Sequence, residues 1–130
     1  QDILTITFTP KHSTVFVFAS FTARLTDNSG LAQMGQVLVK GRILVNGTVV
    51  ARATSSITDQ GYDYNTGYYW VITGGQVAFT GVPVSVTPGS TVTIKLQWTI
   101  FRAWTDGAWQ VRIDPTNSTL GDHAVLTVFD

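Results

Sequence analysis

The side chains able to carry out acid–base chemistry are few and scattered in this sequence. One histidine, His12, lies in a Pro-Lys-His-Ser turn, and the other, His123, follows Asp122 just before the last strand-like segment. Asp122 and His123 would need a serine or threonine nucleophile on a strained turn, and no segment offers one. Asp106 and Asp114 are the carboxylate pair nearest to aromatic residues, but Asp also suits turns, where it hydrogen-bonds its own backbone. The sequence therefore predicts a protein that is not an enzyme.

Metal and cofactor chemistry has equally little support. Asp59, Asp63 and Asn65 offer the oxygen ligands that calcium prefers, but their spacing matches no known loop and no Glu follows them. The chain has no cysteine, hence no disulfide and no thiol chemistry. No phosphate-binding loop and no histidine-based metal motif is present. We expect neither a cofactor nor a metal.

Aromatic residues on two predicted loops, 59–69 and 101–109, are the better candidates for a binding site. Flat, rigid rings stack on sugars at a small entropic cost, and nearby Asp and Asn side chains supply directional hydrogen bonds. The alternative is that these rings cap the ends of the fold or fill a subunit interface. The predicted ligand-binding residues are Tyr62, Asp63, Tyr64, Asn65, Tyr68, Trp104 and Asp106.

Size and composition limit the classes of protein to which this chain can belong. The 130 residues fit a single domain, 1–130, and only 12% of them are charged, about half of the usual fraction in a soluble protein. The formal net charge is zero and no basic tract is present, so we expect no binding to nucleic acid or to an anionic membrane. No apolar run approaches the length that spans a bilayer. The chain begins with Gln1, and we expect it to be part of something longer.

Apolar residues alternate with polar ones throughout, which is the period of a β-strand, and no segment has a helical period. Segment 91–100 is predicted to be a strand with Trp98 and Ile100 facing inward. Asn46-Gly47 predicts a type I′ hairpin turn, and residues 87–90 predict a type II turn. Eight to ten strands separated by such turns predict an all-β, antiparallel, two-sheet jelly-roll sandwich.

Two segments, 14–24 and 122–130, are apolar on both faces. An antiparallel strand with one face in water needs only one apolar face, so the second face requires a further partner. Phe16 and Phe18 occupy that second face in the first segment, and Val125 and Phe129 occupy it in the last. These four residues are the predicted interface between copies of the chain.

Several stretches resemble the globular heads of bacteriophage tail fibres and receptor-binding proteins. They are LTITFTP, STVFVFASFTARL, VNGTVVA, VTPGSTVTIKLQW and HAVLTVFD. The resemblance implies a jelly roll similar to tumour necrosis factor and a homotrimer. It also implies that the first and last strands lie side by side in the inner sheet, near the threefold axis.

The resemblance and the two-faced strands together predict an extracellular virion component. We expect a trimeric tail-fibre or receptor-binding head that attaches to a host-surface glycan or receptor protein through its loops. Two alternatives remain open. One is a structural virion protein, such as a capsid decoration or tail-needle knob, and the other is a monomeric carbohydrate-binding module of a secreted enzyme.

Overall fold

The computed structural model describes residues 1–27, 35–61, 70–73, 75–105, 109–113 and 124–130. Within these ranges the chain forms β-strands, and no helix is long and apolar enough to cross a membrane. The strands are β1 (Asp2–Phe8), β2 (Thr14–Asp27), β3 (Gly35–Val45), β4 (Thr48–Gly61), β5 (Trp70–Thr73), β6 (Gly75–Ser85), β7 (Val92–Thr105), β8 (Trp109–Ile113) and β9 (Val125–Phe129).

Two antiparallel sheets contain these strands. Sheet A has the order β1-β7-β3-β4-β5, and sheet B has the order β6-β2-β8, with β9 also paired to β2. The pair β3–β4 is nested within β2–β6, which is nested within β1–β7. A long hairpin rolled into two layers produces such nesting, which is the topology of a jelly roll. The predicted all-β, two-sheet sandwich is confirmed.

The core lies between the sheets and follows the alternation of the sequence. Val15, Val17, Ala19 and Phe21 of β2 are all buried, as their two-residue spacing predicts. The facing strands of sheet A supply β-branched and leucine side chains, which pack well on a pleated surface. The buried residues opposite β2 are Val37, Val39, Ile43, Ile57, Val92, Ile94 and Leu96. Trp98 packs against the edge of this core, in agreement with its predicted inward position.

Both predicted tight turns are confirmed by backbone angles that only a few residue types tolerate. Asn46 and Gly47 have φ values of 47° and 85°, which a type I′ turn requires between β3 and β4. Gly89 has a φ of 81°, and the Ser90 amide donates to the Thr87 carbonyl oxygen at 3.2 Å. This is the geometry of a type II turn with glycine at its third position.

Two predicted loop boundaries were wrong. Strand β7 continues through Phe101 to Thr105, because no glycine, proline or asparagine ends it. The alternation of inward and outward residues in β7 breaks near Ile100, where the pairing with β3 shifts register between Leu38 and Val39. Ile100 is 46% exposed, so its predicted inward position was also wrong. Strand β4 likewise continues to Gly61 through pairing with β5.

The first strand also differs from the expected arrangement. β1 pairs with β7 in sheet A, whereas β2 is the strand that lies beside the last one, β9. The two segments with two apolar faces are therefore neighbours, as the resemblance implies, but they are the second and the last strands.

Gly41 provides a test of how tightly the sheets pack. A Cβ atom there would lie 2.6 Å from Cγ1 of Val77 and 2.9 Å from Cε1 of Phe21, closer than real contacts allow. Gly41→Ala should lower the free energy of unfolding by about 1–3 kcal/mol, because overpacking forces neighbouring side chains to shift. Equilibrium denaturation in urea measures this loss.

Val77→Ala supplies the control, because it removes the nearest clashing methyl group. The loss in the double variant should be smaller than the sum of the two single losses by roughly 0.5 kcal/mol or more. Strictly additive losses would contradict the packing described here.

Candidate functional site

An uncovered apolar surface lies on the outer side of sheet B. We call it the apolar face and define it as Phe16, Phe18, Pro83, Val125 and Phe129. Phe16 is 47% exposed, Val125 46% and Phe129 59%. Phe16 pairs across strands with both Pro83 and Phe129, so the β6, β2 and β9 strands contribute adjacent side chains.

Two contacts organise the rings on this face. The rings of Phe18 and Phe129 meet edge to face, with centroids 5.3 Å apart and planes at 78°. Such aromatic pairs contribute about 0.5–1.5 kcal/mol beyond the area that they bury. Phe18 also lies over Gly81, whose φ of 62° is in the left-handed region that favours glycine. The face is thus a packed surface whose rings have fixed positions.

The position of β2 within sheet B and the alternation of its side chains explain why Phe16 and Phe18 face outward. Residues 16–20 of β2 pair with β9 and residues 23–27 pair with β8, so two short strands share one edge of β2. The opposite edge pairs with β6 along most of its length. Since Val15 and Val17 fill the core, strict alternation sends Phe16 and Phe18 to the outer side.

A carboxylate fixes the chain at one end of the apolar face. Asp130, directly after β9, accepts hydrogen bonds from the backbone amides of Lys11 at 2.8 Å and His12 at 3.1 Å. Its Oδ1 also lies 3.1 Å from Nδ1 of His12. This clamp connects the end of β9 to the turn between β1 and β2.

The clamp lowers the pKa of Asp130, first through the Lys11 amide and then through the amide and ring of His12, against an opposing contribution from desolvation. A carboxyl group whose pKa is lowered on folding stabilises the folded state above its unfolded pKa. That stabilisation is lost as the pH falls through the lower folded pKa. The end of β9 is therefore held more firmly at neutral pH than in acid.

The outer side of sheet A is polar, in contrast to the apolar face on sheet B, and carries a series of side-chain hydrogen bonds. The ammonium of Lys95 donates to Oδ2 of Asp2 at 2.7 Å, and Gln97 donates its amide hydrogen to Oδ1 of the same carboxylate. Oε1 of Gln97 accepts a hydrogen bond from Nε of Arg42 at 2.8 Å. The pKa of Asp2 is lowered, mainly by its hydrogen bond to Lys95.

Two further features mark this side of the sandwich. The Cα partner of Arg42 on the neighbouring strand β4 is Arg52, so two cations stand directly opposite each other. The ammonium of Lys40 lies 4.1 Å from the centroid of the Phe101 ring, a cation–π contact, while that ring stays 59% exposed.

Most of the predicted ligand-binding residues lie outside the described residues. These are Tyr62, Asp63, Tyr64, Asn65, Tyr68 and Asp106. The backbone of Trp104 belongs to β7 and pairs with Gln36, so its assignment to a loop was wrong. The four predicted interface residues, in contrast, lie on the outer side of the adjacent strands β2 and β9. Phe16 is the cross-strand partner of Phe129, whereas Val125 is opposite Ser20.

The candidates for catalysis and metal binding are only partly described. His12 is solvent-exposed, and its neighbour is Asp130. Asp114, Asp122, His123 and two of the three calcium candidates lie outside the described residues, and Asp59 lies in β4. Among the described side chains no three His or Asp residues come close enough to hold a metal ion.

Sequence reasoning missed the Asp130 clamp and the series of side-chain hydrogen bonds on sheet A. Asp130 and Lys11 are 119 positions apart, and no local pattern indicates that they meet. The Asn46-Gly47 hairpin alone did not indicate the Arg42–Arg52 pair, because equal spacing from the turn would place Arg42 opposite Ala51. A register shift between Ile43 and Leu44 brings Arg42 opposite Arg52 instead.

No protein-family model, no curated protein and no solved structure matches this sequence.

The Asp130 clamp predicts a specific titration. The side-chain carboxyl of Asp130, followed by its carbon-13 shift in NMR spectra, should titrate below the ordinary value of 3.8. His12→Ala should leave the pKa below 3.8, because the Lys11 amide is the main cause of the shift. Titration of the unmodified protein at or above 3.8 would show that the clamp does not form in solution.

Proposed function

We propose that this chain is the head domain of a trimeric virion appendage, a tail fibre or receptor-binding protein. In this proposal it attaches to a host-surface glycan or receptor protein without catalysing a reaction. The apolar face on sheet B is the observation that carries the proposal. The number of copies and the location on a virion come from the resemblance of its strand sequences to tail-fibre heads.

The exposed rings favour burial against another protein surface. Phe16 and Phe129 are each about half exposed. Covering the remaining roughly 100 Å² of one such ring is worth about 2–3 kcal/mol at 25 cal/mol per Å². Phe16 and Phe129 are direct cross-strand partners, and Val125 is exposed four residues before Phe129 on β9. Exposed apolar patches of this kind often mark interaction sites.

A second copy of the chain is the partner that fits this face. The described side chains that point outward from residues 14–22 of β2, from β6 and from β9 include no Lys, Arg or Asp, and the chain has no net charge. Copies can therefore approach without like charges opposing each other. The edge-to-face pair of Phe18 and Phe129 also gives the face a fixed shape, which interdigitation between identical surfaces requires.

Assembly would also serve attachment. Three heads on one fibre present three copies of each loop, and linked binding events raise the overall affinity by orders of magnitude without new contacts. Weak recognition of a repetitive cell-surface glycan is then sufficient for attachment.

The solution mass tests the assembly. Light scattering on a sizing column should give three times the chain mass of 14.1 kDa. A monomer would contradict the proposal and favour a carbohydrate-binding module in its place.

Single substitutions locate the interface. Phe16→Asp and Phe129→Asp should each dissociate the oligomer, because every copy would bury an unpaired charge at a cost of several kcal/mol. Phe101→Asp is the matched control, since Phe101 is as exposed as Phe129, at 59%, but lies on sheet A. Equal effects of the Phe129 and Phe101 variants on the mass would place the interface elsewhere.

The attachment role predicts retention on a host-glycan array. Tyr64→Ala and Trp104→Ala should each reduce that retention about tenfold or more, because stacking on a ring contributes much of the binding free energy to a sugar. Val50→Ala, which trims an exposed apolar side chain on β4, is the control. A trimer that binds no glycan and no host-cell surface would point to the structural virion protein.

A further inference from the structure

Among the described side chains, four cations lie on the outer side of sheet A, namely Lys40, Arg42, Arg52 and Lys95. We call Lys40, Arg42 and Arg52 on this side the cationic cluster. Arg42 and Arg52 are direct cross-strand partners, and Lys40 is two residues from Arg42 on β3. Cross-strand neighbours stand about 5 Å apart and residues i and i+2 about 7 Å, so the three cations share one small patch.

Like charges directly opposite each other destabilise a sheet. Asp2 is the one carboxylate among the described side chains on this side of the sandwich, and it is engaged by Lys95 and Gln97. The cationic cluster therefore concentrates positive charge on a protein whose net charge is zero. Unfavourable local arrangements of this kind in folded proteins are expected at functional sites.

Two of the three cations, Arg42 and Lys40, are held in position before any ligand arrives. The hydrogen bond from Nε of Arg42 to Gln97 fixes the guanidinium and leaves its two terminal nitrogens for other acceptors. Gln97 is itself oriented by Asp2, so its amide oxygen faces Arg42. The ammonium of Lys40 is held above the Phe101 ring. Preorganised donors of this kind lose little entropy on binding.

We propose that the cationic cluster binds an acidic saccharide through its carboxylate or sulfate group. Arginine pairs recognise such oxyanions by bidentate hydrogen bonds. The hydroxyl groups of Thr54 and Thr99 flank Lys40 on the two neighbouring strands and suit the sugar hydroxyls. The exposed part of the Phe101 ring offers an apolar surface beside the cations on which a sugar ring can rest.

The size of the patch disfavours a nucleic acid as the ligand. Nucleic-acid binding relies on a row of many phosphate contacts along an extended basic surface. This cluster has three cations, and the neighbouring Lys95 is neutralised by Asp2. A single anionic group on a sugar matches the cluster in both charge and extent.

The inference concerns sheet A alone and does not require assembly through the apolar face. It adds a site to the loop residues proposed above for attachment. The two proposals fail independently, because a monomer would still carry the cationic cluster and a trimer could lack affinity for acidic sugars.

Binding is tested with polygalacturonate for carboxylates, dextran sulfate for sulfates and uncharged dextran as the neutral polymer. The protein should bind one or both acidic polymers at 50 mM NaCl and should not bind dextran. Its affinity for the acidic polymer should fall as the salt concentration rises. Arg52→Gln should reduce the affinity at least tenfold. Lys11→Gln removes the same charge far from the cluster, keeps the backbone amide of the Asp130 clamp, and should change the affinity less than twofold.

The melting temperature of the unliganded protein provides a second readout. Arg52→Gln should leave it unchanged or raise it, because the substitution removes a like-charge pair. A lowered melting temperature would indicate that Arg52 serves the fold, which would overturn the proposal. Loss of affinity with an unchanged or higher melting temperature is the signature of a binding residue.

Three other results would overturn the inference. They are equal effects of the Arg52 and Lys11 variants, binding to duplex DNA as tight as to the acidic polysaccharides, and no binding to either acidic polymer. The Phe16→Asp variant separates this site from assembly. It should bind a short oligogalacturonate with unchanged affinity, because it leaves sheet A intact.

Discussion

The alternation of β2 is the constraint on which the rest of the structure depends. Val15, Val17 and Phe21 are completely or almost completely buried between the sheets, while the same strand pairs with β6 on one edge and with β9 and β8 on the other. A shift of one residue would exchange the two faces and bring Phe16 and Phe18 into the core. One short run of residues therefore determines both how the sandwich closes and what its outer surface presents.

The two outer sides of the sandwich differ in their physical chemistry. The apolar face on sheet B presents half-exposed rings without charge. The outer side of sheet A presents Arg42, Arg52 and Lys40, with neighbouring threonines and a network of hydrogen bonds. Copies that meet through sheet B would leave sheet A in solvent. Assembly and recognition of an anionic ligand are thus compatible, because neither surface needs the residues of the other.

The sequence alone predicted the layers of this fold better than the ends of its strands. Alternation identified the buried residues of β2 and the outward position of Phe16, and Asn46-Gly47 identified its hairpin, because these signals depend on neighbouring residues. The end of β7 was misjudged, since its break in alternation at Ile100 reflects a register shift against β3 rather than a turn. The Asp130 clamp could not be predicted from the sequence, because Asp130 and Lys11 are far apart in the chain and meet only when it is folded.

The pairing of β2 with β9 has a consequence for how the protein is made. Phe16 and Phe129 are cross-strand partners from opposite ends of this sequence, so a ribosome must finish β9 before sheet B can close. Until then the first half of β2 has an unsatisfied edge flanked by phenylalanines, which is the kind of surface that templates aggregation. Contacts so distant in sequence also slow folding. The nascent chain is therefore most vulnerable until β9 has been made, and a chaperone would have the greatest effect on yield before that point.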